Sequence, residues 1–412
     1  MAQQRKPNYI VIFMDDMGYG DLGCYGNRVL KTPVMDRIAA DGVRFTQMYS
    51  AAPVCSPSRC GLLTGKYPQR VGIPRVLFPD DTAGLTQRDK TVAAYLQEHD
   101  YSSICIGKWH LGCLPEHNPI RHGFDRFLGL LYSNDMSPVH LYRDESVIET
   151  DTDQSALTEK YTDEAIRFIE EHKDKPFFCY LAHTMPHIPL HVPDAFRGQS
   201  AGGTYGDTIE CIDYHIGRIM QTLQEHGLEN DTLVMVSSDN GPWYEGSAGG
   251  LRGRKIDVYE GGVRMPFIAQ WKGVIPPGTE CGEVASLMDL LPTMVQLAGG
   301  RLDEAAGIDG KNIAPLLTGE GVSPHEALFY YYVDCLNAVR SGKWKLHVAM
   351  GGPQRRIRKE MPQLFDMELD PGECYNLADR HPDVVARLTG LIEQFDSTLQ
   401  PVPNVVRGKR SE

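Results

Sequence analysis

Residues 9–14 read YIVIFM and run directly into Asp15-Asp16. Six apolar residues in a row are too few for a helix, and they lack the alternation of a half-exposed strand. They fit a strand covered on both faces, the usual state of a strand inside a parallel sheet. Downstream, the segment TPVMDRIAADG places Thr32 as a helix cap, Pro33 at the first helical position and Gly42 at the helix end. Residues 43–49 follow as a strand. Helical periodicity then recurs over 91–99, 157–172, 205–226 and 286–298, and extended runs over 102–106, 177–181, 232–237 and 266–270. This alternation predicts an α/β fold: a large mixed, mainly parallel sheet sandwiched by helices. Beyond residue 320 the texture changes. Residues 327–333 and 337–348 read as strands of a hairpin or meander, a turn-rich FDMELDPGECYNLA follows, and a last helix covers 382–395. The expected organisation is an α/β domain over 1–320 and a smaller C-terminal α+β subdomain, a short antiparallel sheet plus a helix, over 321–412.

Bulk properties narrow the function. The chain has 412 residues and a formal net charge of -13. A nucleic-acid backbone needs a basic face, so nucleic acid is not an expected partner, although a locally basic site can still hold an anion. No apolar run approaches the ~20 residues of a membrane-spanning helix. The opening MAQQRKPNYI has no secretory signal. The expected location is cytoplasmic, or periplasmic or secreted if a leader has been removed. Ten cysteines stand singly, with no C-x-x-C pair. Structural zinc is therefore not expected, and most of these thiols should be reduced and buried.

Ligands of open α/β sheets bind beyond the carboxyl ends of the strands. Two apolar strands here end in acidic pairs, Asp15-Asp16 and Asp239-Asn240. Three carboxylates and an amide oxygen suit a hard divalent cation; either pair alone would equally suit a turn or a helix cap. Cys55-Ser56-Pro57-Ser58 looks like a helix start. It would put Cys55 at the positive end of a helix dipole and Arg59 one turn along, able to clamp a tetrahedral oxyanion. The residues alone leave open a reactive thiol or a structural cysteine at this position. Two further strand ends carry imidazoles: Lys108 and His110 in GKWHLG, and His183 and His187 in HTMPHIP. Lys255 stands in the glycine-rich GGLRGRKIDVYEGG.

Together these residues resemble the sulfatase family, in its arylsulfatase A and galactosamine-6-sulfatase branch, with the alkaline phosphatase superfold. The C-x-P-S-R signature stands as CSPSRCGLLTGKYP, and GKWHLG is a second intact motif. DDMGYGDLGCYG, SSDNG, YEGGVRMP and LFDMELDPGECYNLA extend the likeness from about residue 7 to about residue 380. The resemblance implies roles. Asp15, Asp16, Asp239 and Asn240 would be ligands of calcium rather than magnesium. Cys55 would be oxidised to formylglycine by a separate maturation enzyme, and Arg59 would hold the hydrate of that residue. Lys108 and His110 would stand beside it, His187 would serve the leaving group, and Lys255 would bind a sulfate oxygen. His183 is assigned as a substrate contact. The implied activity is hydrolysis of a sulfate monoester on a saccharide or a sulfated small molecule. Two other classes compete with it: a phosphate or phosphonate ester hydrolase of the same superfold, and a non-catalytic glycan-binding homologue that keeps the metal site.

Overall fold

The computed structural model describes residues 6–350 and 361–399; the opening MAQQR, which enters the reading of a leader, lies outside them. Eleven strands form one sheet: β1 (Asn8–Met14), β2 (Val43–Tyr49), β3 (Ser102–Lys108), β4 (Arg126–Leu130), β5 (Leu141–Arg143), β6 (Ser146–Glu149), β7 (Phe177–Ala182), β8 (Thr232–Ser238), β9 (Arg264–Gln270), β10 (Thr279–Cys281) and β11 (Ala285–Ser286). The order is β10-β2-β9-β8-β1-β7-β3-β4-β5-β6, with β11 also paired to β2. The run β8-β1-β7-β3-β4 is parallel throughout; β9 enters antiparallel between β8 and β2. The mainly parallel sheet read from the sequence is thus present.

All seven residues of β1 are buried, as its uniform apolarity requires. Tyr9, Val11 and Phe13 face a core shared with Leu62, Val92, Leu290 and Met294, while Ile10, Ile12 and Met14 face one shared with Met35, Leu157, Phe168 and Ile216. Each fully buried side chain of this size contributes about 1.5–3 kcal/mol. The helices Cys55–Thr64 and Leu290–Leu297 therefore cover one face, and Pro33–Ala40, Leu157–His172 and Gly203–Glu225 the other.

A second sheet, β12 (Leu328–Tyr332), β13 (Cys335–Ser341), β14 (Trp344–His347) and β15 (Gln363–Asp366), is antiparallel in sequence order and shares a core with the helix Pro382–Asp396. Residues 337–348 divide at Gly342 into two strands, and β15 occupies part of the stretch read as turns. The segment 130–152, which carries no legible pattern, supplies β5 and β6. These were illegible because β5 has three residues and β6 is an edge strand with three of its four residues exposed. Thr32 does take the cap position, but its hydroxyl bonds Gly23 N and Asp36 instead. Asp213, from the helix Gly203–Glu225, accepts from Val34 N and Met35 N. Gly42 is not the helix terminator; a Cβ there would lie 2.0 Å from Ala269 O, so glycine lets β9 pass.

All ten cysteines are free; Cys55, Cys60, Cys105, Cys179, Cys211 and Cys281 are buried, and Cys335 and Cys374 exposed. Among the described residues no helix is long and apolar enough to cross a membrane.

Candidate active site

The site follows from register. β1 and β8 are parallel neighbours with Met14 opposite Ser238, so the residues just past their ends must lie side by side. Asp239 N donates to Met14 O at 3.2 Å, and Asp16 N to Asp239 Oδ1 at 3.1 Å. Asp16 has φ +66°, a left-handed conformation that Asp tolerates better than most residues and that recurs at functional sites. Asn240 Nδ2 donates to Asp16 Oδ1 at 2.6 Å. Asp15, Asp16, Asp239 and Asn240 are at most 2% exposed.

The helix Cys55–Thr64 points its first turn at this cluster. Cys55 is its first residue, and ligand atoms of Asp15, Asp16, Cys55 and His187 all lie within 4.8 Å of one another. Arg59, one turn on, donates from Nε and Nη2 to Asp239 Oδ2 at 3.2 and 2.9 Å, and from Nη1 to Lys108 O at 3.0 Å. Lys108 ends β3. It donates from Nζ to Asp15 Oδ2 at 2.6 Å and to Ser133 Oγ at 3.0 Å. Gly107, just before it, has φ +93°, and a Cβ there would strike Ala182 O at 1.8 Å, so only glycine lets β3 finish here. Lys255 reaches Asp16 Oδ2 at 2.8 Å, and His187 Nε2 lies 3.6 Å from the same oxygen.

His110 Nε2 is 2.8 Å from Leu77 O. A carbonyl can only accept, so Nε2 carries the proton and Nδ1, buried without a partner, is the basic nitrogen. The same logic applies to His187: Nδ1 lies 2.6 Å from Ile188 O, which leaves Nε2 facing the cluster. Burial, reinforced by Lys108, holds His110 well below the ordinary histidine value, and burial also lowers His187. Burial pushes the Cys55 thiol up to about 12, against the pull of Lys108 and Lys255. A thiol held protonated is not a ready nucleophile.

The acidic cluster suits a cation. Burial and the charge of Asp15 raise Asp239 to about 7; Asp15 is held well below the usual carboxylate range because Lys108, His187, Arg59 and Lys255 outweigh its burial. Asp15 Oδ1 and Asn240 Oδ1 are buried oxygens without a hydrogen-bond donor. Carboxylate and amide oxygens gathered in this way are the donor set of a hard divalent ion. Among the described residues the group of His, Cys, Asp and Glu side chains that could hold a metal is Asp15, Asp16, Cys55 and His187, which shares its two aspartates with this cluster.

One candidate is not brought here. His183 is 1% exposed with both ring nitrogens unpartnered, and its ring lies 6.4 Å from that of Tyr161, on the helix Leu157–His172. Sequence reasoning also missed supporting groups. Ser133 holds Lys108. Ser50 and Ser58 both donate to Asp239 O. The Leu77 carbonyl fixes His110. No motif marks Ser50 or Ser133, and Leu77 contributes only backbone.

The sulfatase family model matches residues 7–300, and a model of the C-terminal region of aryl-sulfatase matches residues 323–411. Arylsulfatase A of Bos taurus is 37% identical over 96% of this chain and 88% of its own length. N-acetylgalactosamine-6-sulfatase of Canis lupus familiaris is 34% identical over 96% of this chain and 87% of its own. A solved structure connected with the metabolism of multiple glycosaminoglycans by Bacteroides thetaiotaomicron superposes with a TM-score of 0.90 at 28% identity, covering 96% of this chain and 100% of that one. With a family model spanning well over half its residues and relatives matched almost end to end, the chain belongs to the sulfatase family and is a sulfuric ester hydrolase.

Proposed function

We propose that the protein hydrolyses a sulfate monoester on a saccharide, with Cys55 converted to formylglycine by a separate maturation enzyme and one calcium ion held by Asp15, Asp16, Asp239 and Asn240. The observation that carries this reading is the placement of the Cys55 side chain within 4.8 Å of ligand atoms of Asp15, Asp16 and His187. The saccharide is favoured by the relatives that act on, or are studied with, galactosamine sulfates and glycosaminoglycans.

Conversion of the thiol to an aldehyde would provide, as its hydrate, the nucleophilic hydroxyl that a buried protonated thiol cannot. Calcium bound at the acidic cluster would add Lewis-acid stabilisation of sulfuryl oxygens. The chain's own residues do the rest. Three carboxylates (Asp15, Asp16, Asp239) face three cations (Arg59, Lys108, Lys255), so the side chains alone sum to zero. A divalent ion tips the balance positive, which is how a protein of charge -13 holds an anion. Arg59 fixes Asp239 as the base for the attacking hydroxyl. Lys108 and Lys255 stabilise charge on the sulfuryl oxygens as the ester bond breaks. His187, as the imidazolium with Nδ1–H held by Ile188 O and its charge favoured by Asp15 and Asp16, would give its Nε2 proton to the departing alcohol. His110, with Nδ1 free, accepts the proton of the second hydroxyl and so lets sulfate leave.

The test has two parts. Mass analysis of the Cys55 peptide from protein made with the maturation enzyme should show loss of sulfur and two hydrogens with gain of one oxygen. Sulfate release from defined sulfated saccharides should then be abolished in Cys55→Ala with the fold retained. Wild-type rates in that variant would eliminate the covalent scheme, and turnover of aryl sulfates but of no saccharide would eliminate the sugar.

A further inference from the structure

The loop that carries Lys255 is gripped from outside the large sheet. Its ends are tied by Gly261 N donating to Arg252 O at 2.7 Å. Ile256, next to Lys255, has φ +81°, a conformation that β-branched residues rarely adopt and that persists only where the surroundings enforce it. Its N–H donates to Pro53 O at 2.8 Å, two residues before Cys55. The strained residue therefore links the Lys255 loop to the segment that enters the Cys55 helix.

The enforcing contacts come from the four-stranded C-terminal sheet and the turn after it. Lys345 Nζ, on β14, donates to Val258 O at 2.9 Å and pairs with Glu260 Oε1 at 2.9 Å. Tyr259 OH donates to Gln363 Oε1, on β15, at 2.9 Å. Glu260 N donates to Glu373 Oε2 at 2.7 Å. Glu373, itself at φ +53°, takes Lys345 and His347 on Oε1 at 3.1 and 2.7 Å. Its carbonyl accepts from Arg252, whose guanidinium lies 4.1 Å from the centroid of the Tyr259 ring. Three consecutive loop residues, 258–260, and the loop's first residue are thus held by one buried polar cluster; Glu260, Lys345 and Glu373 are 0% exposed. Buried ion clusters add little net stability compared with an apolar replacement. What this cluster does fix is the backbone position of a loop that carries a site cation.

We propose that Glu373 and Lys345 are positioning residues for sulfate-ester hydrolysis, the C-terminal sheet holding loop 252–262 in the strained form that delivers Lys255 to Asp16 and ties it to the Cys55 segment. This rests on the role given above to Lys255.

A double-mutant cycle tests it. Glu373→Gln keeps the shape but turns an amide donor toward either Glu260 N or the Lys345 and His347 donors, so one grip is lost. Arg252→Ala, at a half-buried position, loosens the other end and guards against a Glu373 variant that fails to fold. Each is made alone and with Lys255→Ala, and kcat/KM is taken per formylglycine-bearing molecule with the melting temperature beside it. Lys255→Ala alone should cost about 10²–10³-fold. Glu373→Gln and Arg252→Ala should each lower kcat/KM about tenfold or more when Lys255 is present, and less than about twofold when it is absent. Equal losses in both backgrounds, or a lowered melting temperature with unchanged kcat/KM, would overturn the brace. Undiminished turnover of Lys255→Ala would instead remove the role of Lys255, and the brace with it, and the single variant alone reports that outcome.

Discussion

Replacing Arg59 by lysine keeps the charge and removes the fork. The guanidinium makes two bonds to Asp239 Oδ2 and one to Lys108 O, all inside a site where Arg59 is 0% exposed. An ammonium on a shorter, tetrahedral head reaches one of these partners. The Lys108 carbonyl loses its charged donor, at about 1–3 kcal/mol, and Asp239 loses one charge-assisted bond, at about 1.5–3 kcal/mol. Together Arg59→Lys should destabilise the fold by about 2.5–6 kcal/mol. The catalytic cost has a different origin. Lys108 supplies a cation through its side chain, and its backbone is the part that Arg59 holds; a shift on the order of 1 Å there costs about 10²-fold in rate. The assay is denaturant unfolding alongside kcat/KM on a sulfate ester. Because the substitution also alters the C-x-P-S-R signature, rates are divided by the formylglycine fraction measured by mass. A variant within about threefold of wild type in kcat/KM, and with unchanged stability, would refute the reading that geometry rather than charge is what Arg59 contributes.

Chelation should abolish turnover, and added calcium should restore it; at calcium about 100-fold above its dissociation constant the unfolding free energy should exceed that of the chelated protein by about 2.7 kcal/mol. Indifference of both quantities to chelator would empty the acidic cluster of its assigned role. His183, pushed down to about 3 by burial and by its neighbour His215, is neutral when folded but takes up a proton below its ordinary value once unfolded. Its contribution to stability is therefore complete above about pH 6.5 and lost as pH falls toward 3, by up to about 1.4 kcal/mol per unit. The stability difference between wild type and His183→Gln should shrink with that slope, and a difference flat between pH 6.5 and 4 would contradict the neutral buried imidazole.

What the sequence disclosed and what it hid divide along physical lines. The apolar runs at the centres of β1 and β8, each followed by an acidic residue, predicted both the sheet and the meeting of Asp15 with Asp239. Periodicity reports local burial, and the strand ends need nothing more. Cys55 at a helix start with Arg59 one turn on was likewise local. The functions of Lys108, His110, His187 and Lys255 came from resemblance, since a single lysine or histidine carries no periodicity. Contacts between residues far apart in sequence were hidden altogether: Asp213 capping the helix at Pro33, Ser133 holding Lys108, and Glu373 gripping Glu260. The hairpin of β5 and β6 was lost for another reason. It is too short and too exposed to print a pattern on its residues.

The position of β1 in its sheet also governs when the site can close. β1 is made first, yet its two neighbours are β7 and β8, and Asp16 meets Asn240 across 224 residues of chain. On a ribosome adding about 5–20 residues each second, the interval between the emergence of Cys55 and of Ser238 is on the order of ten to forty seconds. Until β8 arrives, the nascent polypeptide has no wall on that side of Cys55, which ends 2% exposed in the finished protein. Translation thus leaves Cys55 uncovered for a timed interval before the completed sheet seals it, and the maturation step proposed above would fall within that interval.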